Sequence, residues 1–194
     1  MSLSTAEEAQ LLSQAGTGNL PVGTSGNPFA QTYDRRFALS AAVAPTSATL
    51  TMTAIVLPAG KTVTGITFIS GAQAEATGTH LWYALYDRNL VLLAQATDNT
   101  GAAAFAANTA FRMALAAPTI CPYSGLYYLG FCCVASGTVP TLLNITLPLA
   151  NNNGSITGMT PIVAATSSTG LTATAPNPAG ALTTVVNSYY AFVD

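Results

Sequence analysis

The feature that most limits what this chain can become is a series of short strand-like runs, each closed by turn residues. TLTMTAIVL (49–57) alternates, with Leu50, Met52, Ala54 and Val56 on one face and threonines on the other. Pro58-Ala59-Gly60 stops it and KTVTGITFIS (61–70) resumes, with Ile66 and Phe68 sharing a face and Gly65 placed for a bulge. HLWYALYD (80–87) and LVLLAQA (90–96) flank Arg88-Asn89 and predict a hairpin. Asn108 to Leu115 holds a further short strand with Arg112 on its outer side. GLYYLGFCCV (125–134) is apolar on both faces, as a central strand should be, and VVNSYYAFV (185–193) reads as one closing strand. Strands at near-regular spacing predict an all-β, antiparallel β-sandwich.

Two stretches do not follow this pattern. Residues 1–32 read as an N-terminal arm. Ser4-Thr5-Ala6-Glu7 has the form of a capping box, which predicts a short helix over about 5–15, and GTGNLPVGTSGNP (16–28) reads as a tether. Leu11 and Leu12 are the helix's only bulky apolar side chains, too few to anchor it alone. Either the arm frays or it orders against a neighbouring subunit. In the second case its contact residues are Leu3, Leu11, Leu12, Pro21 and Phe29, with Arg35 and Arg36 just beyond it. The second stretch, 148–180, has no period and predicts a long loop with one or two short strands on the edge of the 33–194 domain.

Composition narrows the function. The chain carries five basic and seven acidic residues, 6% charged against about 25% in an ordinary domain. A net charge of −2 lacks the basic footprint that phosphate binding needs, so no nucleic-acid partner is expected. The acidic, polar start MSLSTAEEAQ has neither part of a secretory signal, and no apolar run is long enough to span a bilayer. Synthesis in a host cytoplasm and no membrane partner are therefore expected. Thirty-five alanines and 28 threonines leave a surface of small methyls and hydroxyls with little mutual repulsion. Such a surface suits a protein packed in an assembly.

Candidates for chemistry are few. Cys121, Cys132 and Cys133 are odd in number, adjacent strand residues point to opposite faces, and His80 is the only histidine. Buried inert thiols, no metal and no cofactor are expected. No serine or cysteine sits in a nucleophile motif, and Asp87 and Asp98 lie in turn sequences, so no enzyme is expected. Aromatic residues on a sandwich can hold glycans, and Trp82 and Tyr86 are the candidate platform, with core packing as the competing role. Arg35-Arg36 after Tyr33-Asp34 either docks an acidic partner or pairs with Asp34.

LPAGKTVTGITFISGAQAEATGTHLWYALYDRNLVLLAQATD (57–98) resembles a module recurring in virion proteins of actinobacterial tailed phages. There an "LPAG–V–I–F" strand leads through a small-residue loop to a "W–ALYD–NLLA" hairpin. The resemblance continues through AANTAFRMALAAP (106–118), SGLYYLGFCCVASGTVPTL (124–142) and the terminal YYAFV, covering about 37–145 and the last ten residues. It implies a jelly-roll-like fold, a homotrimer, and a place on the virion exterior as a capsid decoration (cementing) or minor tail protein. The partners implied are the major capsid protein or tail proteins. The alternative from another class is a carbohydrate-binding module for host-surface glycans.

Overall fold

The computed structural model describes residues 28–100, 105–147 and 162–194. The expected helix at 5–15 lies outside the described residues. Thirteen strands follow in order: β1 (Ala30–Gln31), β2 (Leu39–Val43), β3 (Thr49–Leu57), β4 (Thr62–Ile69), β5 (Ala76–Asp87), β6 (Leu92–Gln95), β7 (Ala110–Ile120), β8 (Gly125–Thr138), β9 (Leu142–Thr146), β10 (Ala164–Thr169), β11 (Thr183–Thr184), β12 (Asn187–Tyr189) and β13 (Ala191–Val193). All pair antiparallel. They make a six-stranded sheet in the order β11-β10-β3-β8-β5-β6, a four-stranded sheet β1-β13-β4-β7 and a three-stranded sheet β12-β9-β2. The six- and four-stranded sheets face each other as a β-sandwich.

Alternation decides what lies between them. Ile55 and Leu57 of β3, Leu81, Tyr83 and Leu85 of β5, and Tyr127, Leu129, Phe131 and Cys133 of β8 meet Ile66 and Phe68 of β4 and Ala191 and Val193 of β13. The Phe68 ring meets the Tyr83 and Phe131 rings edge-on, at 4.9 and 5.4 Å between centroids. Each such large side chain contributes about 1.5–3 kcal/mol on leaving water. β8 is central as its double-faced composition requires, paired to β3 from Thr51↔Phe131 to Leu57↔Gly125 and to β5 across Leu81↔Cys133. The ladder of β4 and β7 shifts register between Val63 and Gly65, so the bulge falls where the glycine predicts it. Gly65 has a second use: a Cβ there would sit 2.5 Å from the Arg112 guanidinium, which lies across it.

The other residues of β3, β5 and β8 form a second core on the outer face of the six-stranded sheet. Leu50, Met52, Trp82, Ala84, Tyr86, Tyr128 and Cys132 pack there under Ala175 and Ala179, with Leu171 and Leu182 partly buried beside them. Gly130 lies among them because a Cβ would come within 2.9 Å of Leu50 and 3.2 Å of Tyr86.

Residues 171–182 are therefore a cover; the 148–180 stretch does hold a short strand, as expected, but not on the edge of the sheet. Their neighbour β10 is an interior strand of the sheet, paired to β3 across Ala165↔Met52 and to β11 on its other side. Polar bonds fasten the cover: Trp82 Nε1 donates to Thr172 O (2.6 Å), Tyr86 Oη to Pro176 O (3.0 Å) and Gln95 Nε2 to Ala173 O (2.7 Å). Ala175 N donates back to Gln95 Oε1 (2.8 Å). The single closing strand also divides in two. β12 pairs with β9 and β13 with β4, and the chain changes sheet at Tyr190, whose N–H donates to Leu143 O.

Candidate functional site

Of the expected arm contacts, Leu3, Leu11, Leu12 and Pro21 lie outside the described residues. Phe29 belongs to the body: its N–H donates to Val193 O, its ring packs on the inner core, and Lys61 Nζ stands 5.9 Å from the ring centroid. β1 then pairs Ala30↔Val193 and Gln31↔Phe192, so the sandwich begins ahead of the expected boundary at residue 32. Arg35 and Arg36 form an exposed 3-10 turn over Arg35–Phe37, capped by Asp34. Arg36 is engaged locally, with Nη2 2.7 Å from Asp34 Oδ2 and its N–H 2.9 Å from Asp34 Oδ1.

Trp82 and Tyr86 are both 0% exposed. The glycan-platform role expected for them is corrected: a ring beneath the 171–182 cover has no face for a sugar. Alternation places the two on one side of β5, yet the segment that closes over that side lies about 90 residues away in sequence.

The titratable groups pair off instead of converging. His80 Nδ1 lies 2.7 Å from Asp98 Oδ2, and Asp98 Oδ1 accepts from Leu81 N, which ties the start of β5 to the segment after β6. Asp87 Oδ1 accepts from Asn89 N and Val91 N, the turn role its sequence predicts. Arg112 reaches Asp194 through Nε (2.9 Å) and Nη2 (2.6 Å), and Thr64 Oγ1 donates to the same carboxylate. Burial alone would raise the Asp194 pKa, but the bonds from Arg112 and Thr64 and the guanidinium charge hold it below the ordinary carboxylate value. Glu75 is buried and its pKa raised, chiefly by burial, with the Phe105 N–H as its weak partner.

Burial also pushes Cys132 and Cys133 up to about 12, and the two thiols point into different cores. At that value the reactive thiolate is scarce at neutral pH. Among the described residues no three His, Cys, Asp or Glu side chains come together as a metal would require, and no helix is long and apolar enough to cross a membrane.

What remains is a groove that sequence reasoning did not single out. It is an open depression of about 480 Å³ at the end of the six-stranded sheet where β5 turns into β6 and β8 begins. Leu126, Tyr128, Ile162 and Leu182 form its floor, and Arg88, Asn89, Tyr123 and Gly125 its rim. Arg88 is held over the Tyr123 ring, 5.0 Å from its centroid, and that ring stacks on Tyr127 at 4.8 Å. Val56, directly across the ladder from Leu126, is 70% exposed and extends the apolar floor. Three ion pairs join described residues, and Arg88 belongs to none of them. The only signal in the sequence was a basic residue, Arg88, in a hairpin turn; its apolar surroundings come from three distant segments.

No protein-family model matches the sequence, and no curated protein matches it either.

Proposed function

We propose that this chain is a non-enzymatic structural subunit on the outside of a tailed-phage virion. In this reading it is a capsid decoration or cementing protein in preference to a minor tail protein. Its body is a jelly-roll-like block that associates as a homotrimer, and the N-terminal arm straps that block to the particle.

The observation that carries the reading is that, among the described residues, most aromatic side chains and all three thiols are buried and every carboxylate is bonded within the chain. The six-stranded sheet carries a buried core on each face, Trp82, Tyr83, Tyr86, Tyr127 and Tyr190 are fully buried, and His80 and Arg112 are paired with carboxylates. A rigid, charge-poor block of this kind suits mechanical reinforcement. A subunit that binds only the assembled shell favours the shell by mass action. The resemblance of 37–145 to phage virion modules supports the same reading.

The test is truncation followed by imaging. Because Phe29 and β1 are built into the sandwich, the informative deletion is of residues 2–27. The truncated chain should fold, shown by a cooperative thermal transition, yet be missing from particles probed with antibody in negative stain. Normal incorporation of the truncated chain contradicts the strap. Absence of the full-length chain from purified particles contradicts the location.

A further inference from the structure

We propose that the groove rimmed by Arg88 and Asn89 receives the N-terminal segment of a second copy of this chain, through its Glu7, Glu8, Leu11 and Leu12. This deepens the strap reading above and rests on it, naming both the partner and the surface that receives it.

Charge complementarity carries the choice of occupant. Residues 1–27 contain Glu7 and Glu8 and no lysine or arginine, whereas residues 28–194 hold five basic and five acidic side chains. The whole net charge of −2 thus resides in the segment, on a body that is neutral. The cation it would meet is Arg88, exposed and without a carboxylate partner among the described residues. At the helical spacing predicted for residues 5–15, Glu7 and Glu8 precede Leu11 and Leu12 by one turn on the same side. The groove has the matching order: a cation at the rim, then the apolar floor of Leu126, Ile162 and Leu182, continued by exposed Val56.

Chain length permits the contact. Fifteen residues separate Leu12 from Pro28, where the described body begins, and an extended chain spans about 50 Å over that distance. That exceeds the roughly 40 Å breadth expected of a body this size. A segment of one copy seated in the groove of the next is a head-to-tail contact, which closes into a ring when the rotation is one-third of a turn.

Disulfide trapping in the full chain tests this, since all three native cysteines are buried. Two differently tagged copies, one carrying Gln10→Cys and the other Asn89→Cys, are mixed and oxidised. The expected result is a covalent dimer bearing both tags, formed well above a control pairing Gln10→Cys with Thr169→Cys, an exposed position at the far end of β10. Adding Arg88→Glu should lower the trapped yield about tenfold, and Glu7→Lys with Glu8→Lys should restore it. No trapped dimer, or a yield indifferent to Arg88→Glu, overturns the proposal. So does linkage found only within single chains when both cysteines are placed in one copy.

The outcomes separate from those for the virion role. Trapping without any effect of the 2–27 deletion on particle incorporation leaves the groove contact standing and removes the strap. Loss of incorporation without trapping does the reverse.

Discussion

At the scale of single residues, the Arg112–Asp194 pair and Trp82 are the most informative. The Asp194 side chain is 3% exposed and its carboxylate is held below its ordinary pKa, so the folded state binds this proton less readily than the unfolded chain does. The stability it contributes is therefore fully present above the ordinary carboxylate range and is lost as pH falls through the folded-state value. Asp194→Asn should cost about 1–3 kcal/mol at neutral pH, because Arg112 loses its charged acceptor. It should also flatten the decline in stability between about pH 5 and pH 2, read from urea denaturation at stepped pH. An acid limb as steep as the parent's contradicts this role.

Trp82 is the only tryptophan, so its emission reports on one site. It should emit at short wavelength, resist iodide quenching, and stay unchanged when simple sugars are added. Ready quenching contradicts the covered face. The sequence announced which side of β5 carries Trp82 and Tyr86, because period-two alternation is local. It could not announce that this side is dry.

The same division runs through the elements. β3, β4, the hairpin of β5 and β6, and β8 were legible to within a few residues, since alternation, Pro58-Gly60 and the Asp87 turn all act over short stretches. A short strand within 148–180 was expected, but the interior place of β10 and the 171–182 cover were not legible. Their order comes from pairing with Thr49–Thr53 and from bonds to Trp82, Tyr86 and Gln95, some 80 to 120 residues back along the chain. The division of 185–193 was equally hidden, because SYYAFV satisfies a strand pattern whichever sheet each half joins.

Gln95 is the sharpest probe of the cover, since its amide meets both Ala173 O and Ala175 N. Gln95→Ala should destabilise by about 1–3 kcal/mol. Amide hydrogen exchange should accelerate in 171–182 while β3 and β8 keep their protection. Uniform acceleration across the six-stranded sheet contradicts a separately fastened cover. The candidate groove was the least legible feature of all, because Arg88, Leu126, Ile162 and Leu182 meet only after four sections of chain have folded.

For the whole molecule, the governing fact is how few ionic groups stand free in water. Six per cent of residues are charged, and Arg36, His80 and Arg112 are paired with Asp34, Asp98 and Asp194. Exposed Phe37, Val56, Val91 and Ile120 add apolar surface between the small hydroxyl side chains. Weak mutual repulsion favours association over free monomers. The most direct measurement is therefore the mass of the purified full chain by light scattering across a wide concentration range. A species of three times 19.7 kDa that persists on dilution is expected. A soluble 19.7 kDa monomer at the highest concentration contradicts it.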